Sequence, residues 1–331
     1  AEALSEEKYN RVVMWATDGV DGVSASAVAM GAAASIVDGM TTSQVHDALI
    51  KAAADLISAD TPNYSQVAAR LSIFKIRKDA HGQYEYPDFY EHILKNVTRG
   101  VYDDEIMHKY SCEEIDELGA YMKPERDDNF GYAATTQLRG KYLVQHRVSG
   151  EIYESPQHIY MLVGMCLYQD WADGDMGKTR LEMVKGFYDV TSTFKLSLPT
   201  PIMAGVRTPT RQFSSCVLIE SGDSLKSINA TTSAIVEYIS QRAGIGVNFG
   251  SIRALGSPIR NGEATHTGVI PFLKLFQAAV KSCSQGGVRG GAATAYYPLW
   301  HLEANSLLVL KNNRGVESNR VRHMDYGVEL N

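Results

Sequence analysis

The segment Arg207-Thr-Pro-Thr-Arg-Gln-Phe-Ser-Ser-Cys216-Val-Leu-Ile-Glu220 sets a thiol at the head of a short apolar run. Directly before it stand hydroxyl and guanidinium groups of the kind that hold phosphate. A cysteine that only fills a core needs no such neighbours, whereas one acting on an anionic substrate does. The other thiols have weaker cases. Cys112 is followed by Glu113 and Glu114, whose charges oppose thiolate formation. Cys166 sits within an apolar helical pattern and reads as core, and Cys283 reads either as core or as a loop anchor.

Glycine gathers in two places, Gly244-Ile-Gly-Val-Asn-Phe-Gly250 and Ser282-Cys-Ser-Gln-Gly-Gly-Val-Arg-Gly-Gly-Ala-Ala-Thr294. Such backbone can approach a ligand closely and offer it free amides; the plainer alternative is a flexible surface loop. A mobile loop bearing Gln285 and Arg289 suits ligand-dependent rearrangement. Arg253 and Arg260 flank a Gly-Ser-Pro turn, where they either converge on one phosphate group or stand solvated at the surface. Asp223, ahead of a helix expected to begin near Ser227, either favours that helix terminus or accepts sugar hydroxyls. Ala172-Asp-Gly-Asp-Met-Gly-Lys-Thr179 satisfies a relaxed phosphate-loop pattern. Two aspartates in the cradle and a helical approach argue instead for an exposed connection between helices.

The elements that must position these residues belong to two or three structural units, the number expected of 331 residues. A hydrophobic share of 44% and a charged share of 21% describe an ordinary globular chain, and a net charge of −6 argues against nucleic-acid binding. The apolar run Ile159–Leu167 is too short to span a membrane, and no secretory signal opens the chain. Four scattered cysteines, with no Cys-x-x-Cys and no zinc spacing, point to reduced thiols in the cytoplasm and no metal. Apolar periodicity predicts a helix from Thr42 to Ile57, capped by Thr42 or Ser43, and another from Tyr64 to Lys78. Residues 83–200 continue helical until Pro199-Thr200-Pro201. Beyond them helices alternate with the short apolar runs 217–219, 245–247 and 307–310, a pattern that favours α/β architecture.

Taken together, residues 198–203, 207–220, 241–246, 253–260, 282–294 and 312–327 closely resemble the large subunit of aerobic (class I) ribonucleotide reductase. Residues 15–84 resemble that family's ATP-cone. The resemblance implies an ATP-cone over 1–82, a helical domain over 83–205, and over 206–331 the first half of a ten-stranded α/β barrel. It implies that Cys216 is one of two thiols that end as a disulfide after each turnover. Thr200, Ser215, Cys216 and Gly244 would line the site for a ribonucleoside diphosphate. Asp223, Ser224, Leu225, Arg253 and Arg260 would bind a deoxynucleoside triphosphate or ATP, accompanied by Mg2+. A specificity loop with Cys283, Gln285 and Arg289 would relay effector identity to the substrate base. In the cone, Glu2, Lys8, Thr42, His46 and Lys78 match positions around the overall-activity nucleotide.

The family's opening hairpin precedes Ala1, which puts ATP or dATP sensing by this chain in question. Its radical-bearing cysteine and the redox partner of Cys216 lie beyond the 325–331 segment. The resemblance therefore leads us to expect an N-terminal portion, from a split gene or a shortened chain, that is inactive alone. Its implied partners are a C-terminal half, a second large subunit in a homodimer, and a radical-generating small subunit whose metal cofactor supplies the radical. Thioredoxin or glutaredoxin would be the reductant, and no cofactor is bound covalently. A stand-alone nucleotide-binding regulatory module is the competing expectation.

Overall fold

The computed structural model describes residues 5–211, 213–241, 243–285 and 289–330, without the side chains of 284, 285 and 289. The chain divides into two compact units, Ala1–Arg211 and Gln212–Asn331.

The first unit is helical. Its opening four helices are α1 (Glu6–Thr17), α2 (Ala25–Ala33), α3 (Thr42–Asp55) and α4 (Tyr64–His81). Their apolar stripes close over one core that includes Val13, Val28, Leu49, Val67 and Leu71. The cap of α3 is Thr41, one residue before the expected Thr42 or Ser43. Its hydroxyl accepts the Gln44 N–H while the Gln44 side chain accepts the Thr41 N–H, a reciprocal pair available only from that register. Helix α4 runs three residues past Lys78 and ends on Gly82 in the left-handed region.

The next helices are α5 (Phe89–Thr98), α6 (Glu105–Lys109), α7 (Cys112–Tyr121), α8 (Tyr132–Gln137), α9 (Pro156–Tyr168), α10 (Arg180–Ser192) and α11 (Thr200–Gly205). They form a second core around α9, which is buried on every side from Pro156 to Cys166. A helix apolar all round is stable only when enclosed in this way. The Pro199-Thr200-Pro201 run does break the helical pattern, and then starts α11 with Pro199 as its cap. Residues 172–179 form the exposed turn between α9 and α10.

The second unit carries a parallel sheet with its strands in chain order: β1 (Cys216–Glu220), β2 (Gly244–Asn248), β7 (Ala293–Pro298) and β8 (Asp325–Glu329). Leu218, Gly246, Thr294 and Asp325 share one register line. Helix α12 (Leu225–Ser240) connects β1 to β2, and α13 (Ile270–Ser282) lies between β2 and β7. Two short antiparallel pairs interrupt this path: β3 (Pro258–Ile259) with β4 (Ala264–Thr265), and β5 (Ser284–Gln285) with β6 (Arg289–Gly290). Alternate side chains face alternate sides of a strand. Val217, Ile219, Ile245, Val247, Ala295 and Tyr297 accordingly join Ile235, Ile239, Leu273 and Phe276 of the two helices in one core. The apolar run 307–310 is not a strand. It closes the short helix α14 (Ala304–Leu307) and turns, with Leu307 and Leu310 buried in the same core. The third long strand comes from the end of the glycine-rich segment, where Ala293 to Pro298 read Ala-Thr-Ala-Tyr-Tyr-Pro and Ala293, Ala295 and Tyr297 are buried.

Candidate functional site

Cys216 opens β1, on the sheet face opposite the α12 and α13 core, and its side chain is exposed. It pairs in register with Gly244, whose N–H donates to the Ser215 carbonyl at 2.8 Å. A Cβ built on Gly244 would stand 3.4 Å from Cys216 Sγ, so any larger side chain there would crowd the thiol. Ser215 is half-buried, and Ser214 Oγ donates to the Cys216 carbonyl at 2.8 Å. Thus Ser215, Cys216 and Gly244 come together in the second unit. Thr200 belongs to the first unit, where it is the exposed first residue of α11.

The guanidinium groups upstream of Cys216 are not available to a phosphate, contrary to the expectation from their spacing. Arg207 is wholly buried and forks onto both oxygens of Glu154. It also donates to the carbonyls of Met203 and Tyr142, at 2.6 and 3.0 Å. Arg211 pairs with Asp103 and Glu105. Both serve the helical unit because a buried or half-buried cation needs carboxylate partners close by.

The effector candidates do converge in part. Ser224 caps α12 by accepting the Ser227 N–H at 3.2 Å, and Leu225, the first helical residue, is exposed. The helix thus begins two residues before the expected Ser227. Asp223 does not cap it. One carboxylate oxygen accepts the Arg253 backbone N–H at 2.8 Å, and the other takes the Arg253 guanidinium at 2.6 Å. Arg253 also donates across the Gly-Ser-Pro turn to the Pro258 carbonyl at 3.0 Å. Arg260 is exposed at the tip of the β3–β4 pair, with φ of 51°.

In the specificity segment Cys283 is half-buried beside the sheet core. The side chains of Gln285 and Arg289, and residues 286–288, lie outside the described residues. Gly291 has a structural reason to be glycine, since a Cβ there would meet the Val280 carbonyl oxygen at 2.0 Å.

In the first unit Glu2 lies outside the described residues. Lys8 is exposed on α1, and Thr42 is exposed at the start of α3. His46 and Lys78 meet at Phe74: the imidazole stacks on its ring at 5.1 Å and the ammonium lies 5.8 Å from its centroid. Phe74 in turn touches Trp15 and Tyr84, at 5.8 and 5.4 Å between centroids. His46 Nε2 bonds the Leu71 carbonyl at 2.7 Å, and burial holds the ring below the usual imidazole pKa. Among the described residues no group of three or more His, Cys, Asp or Glu side chains could hold a metal ion. No helix there is long and apolar enough to cross a membrane.

Sequence reasoning missed the buried Glu154–Arg207 pair, the histidines packed beside it, and the backbone contacts of Glu303. The partners of these residues lie tens of positions away, so no local signal could have found them.

This helical unit and parallel sheet match two family models. Residues 128–211 match the all-alpha domain of ribonucleotide reductase, and residues 214–331 match its barrel domain. The chain belongs to the family of ribonucleotide reductase large subunits. It is 62% identical over 330 residues to subunit alpha of ribonucleoside-diphosphate reductase 1 from Escherichia coli K12. It is 61% identical over 330 residues to the alpha subunit of Haemophilus influenzae, and 55% identical over 331 residues to that of Enterobacteria phage T4. Each alignment covers 100% of this chain, which spans 43% of each relative's length.

Proposed function

We propose that this chain supplies the effector site, part of the substrate site and one redox thiol of a ribonucleoside-diphosphate reductase. The observation that carries the reading is the exposed thiol of Cys216, in register with Gly244 on the sheet face opposite the helices. There a thiol can meet a substrate that a core cysteine could not. In the full reaction the ribose C2′–O bond breaks and a C2′–H bond forms. The hydroxyl leaves as water, and two thiols give up two hydrogens and join as a disulfide. Cys216 provides one of them. The other, with the radical-bearing cysteine, is contributed by the remaining portion of the large subunit, and the radical arrives from a separate small subunit. A thioredoxin-type protein restores the thiols.

Ser215 and Gly244 border the thiol. Asp223, Ser224, Leu225, Arg253 and Arg260 receive a nucleoside triphosphate, for which paired donors on one excursion are well suited. His46, Lys78 and Thr42 serve a second nucleotide in the helical unit.

The test combines the chain with the remaining large-subunit segment and the radical subunit, and measures deoxynucleoside diphosphate formation. Turnover is expected from the mixture, and is lost with Cys216→Ser. Turnover by the chain alone would refute the need for a partner, and full activity of the Cys216→Ser mixture would refute the thiol's role.

A further inference from the structure

Between β2 and α13 the chain makes the excursion that carries Arg253 and Arg260. A segment following β7, Trp300-His-Leu-Glu303, holds it closed. Glu303 Oε2 accepts the Leu255 N–H at 3.0 Å and the Val269 N–H at 3.0 Å, one near each end of the excursion. Gly268, at φ +84°, leaves room for this carboxylate, since a Cβ there would stand 2.8 Å from Oε1. His301 seats the glutamate: its Nδ1 accepts the Glu303 N–H at 3.1 Å, and its Nε2 bonds the Ile252 carbonyl at 2.9 Å. An accepting Nδ1 leaves the ring proton on Nε2, so one tautomer satisfies both bonds.

Bonds from backbone N–H groups to a carboxylate are charge-assisted and roughly twice as strong as neutral ones. The excursion also holds Arg253, whose guanidinium donates to the Pro258 carbonyl at 3.0 Å while its N–H and guanidinium bond Asp223. We propose that Glu303, seated by His301, is a positioning residue for the nucleotide effector. It fixes the excursion between β2 and α13 at Leu255 and Val269, so that Arg253 and Arg260 reach a triphosphate without first being ordered. Glu303 follows β7, and β7 is entered from the β5–β6 pair, so the contact also joins the effector excursion to the strand behind the specificity loop. This inference rests on the effector reading proposed above.

The test measures amide exchange and dTTP binding in Mg2+ buffer for this 331-residue chain, with Glu303→Ala, Glu303→Asp and Glu303→Gln. Alanine is expected to speed exchange at Leu255 and Val269 and to weaken dTTP about tenfold, a usual size for coupling between sites. Gln keeps an oxygen at the same reach and restores most of the affinity. Asp keeps the charge but is one methylene short, so it gives an intermediate loss, and it decides the matter if alanine prevents folding. A purely structural role would lower the unfolding midpoint without rescue of binding by Gln, and that result overturns the proposal. Unchanged dTTP affinity in the Ala and Asp variants, beside clear binding by the unsubstituted chain, overturns this inference alone. Absence of dTTP binding by the unsubstituted chain overturns the effector reading itself, and this inference with it.

Discussion

Arg207 and Glu154 meet fork to fork in the core of the helical unit, each with no solvent exposure. Glu154 also accepts the Val144 N–H at 2.6 Å and the Tyr102 hydroxyl at 2.8 Å. Three segments, around residues 102, 144 and 207, are thereby fastened to one carboxylate.

Removing one member of this pair leaves the other charged and unpaired in the core. Arg207→Ala or Glu154→Ala should each destabilise the helical unit by about 3–5 kcal/mol, the usual cost of breaking a buried ion pair. The joint replacement Glu154→Leu with Arg207→Met should recover part of that loss. Urea unfolding of the chain measures it, and single variants as stable as the parent would contradict the account.

Beside the pair, His92 and His158 stack at 3.9 Å between centroids, and His81 meets both edge-on at 5.3 Å. Burial pushes His81 down to about 4, and holds His92 and His158 well below the usual imidazole value. The fold therefore refuses protons that the unfolded chain takes up near pH 6.5. The stabilising contribution is fully present above that pH and falls as pH drops from about 6.5 toward 4, by up to about 1.4 kcal/mol per unit for each ring. The unfolding midpoint of the helical unit should drop steeply between pH 7 and pH 5. A flat profile over that range would refute neutral burial of the three rings.

The Asp223–Arg253 pair is partly exposed, with side chains 30% and 40% accessible. Such pairs contribute at most about 1 kcal/mol to folding. Asp223→Ala and Arg253→Ala should leave the unfolding midpoint nearly unchanged, yet weaken dTTP by about tenfold or more, as loss of a charge-assisted contact does. Equal affinity in the parent and both variants, read by calorimetry, would remove the pair from the effector site.

The four thiols should separate by reactivity. Cys216 and Cys112 are exposed, Cys283 is half-buried, and burial pushes the Cys166 thiol up to about 12. The surrounding chain and then Asp116 and Glu113 hold Cys112 above its ordinary value, which slows it near neutral pH. Maleimide labelling followed by peptide mass analysis should mark Cys216 first and Cys166 only after unfolding. Early labelling of Cys166 would contradict its place in α9.

Local chemistry was legible in the sequence wherever it depends on neighbours along the chain. The apolar spacing of α3 and α4, the strand after Cys216 and the exposed 172–179 connection all follow from short-range patterns. Family resemblance supplied the candidate roles of Cys216, Asp223 and Arg253. Tertiary structure alone decided which charged groups stand at the surface. Arg207 and Arg253 look alike in sequence, each two residues from a Gly, Pro or Ser. One is enclosed with Glu154, and the other stands at the surface on Asp223. The difference arises because the energy of a buried charge depends on partners fifty positions away, and no local pattern encodes them. The same holds for the run 307–310, whose leucines enter the sheet core from a helix and a turn. Apolar composition requires burial, but the elements already packed determine the backbone shape in which it is achieved.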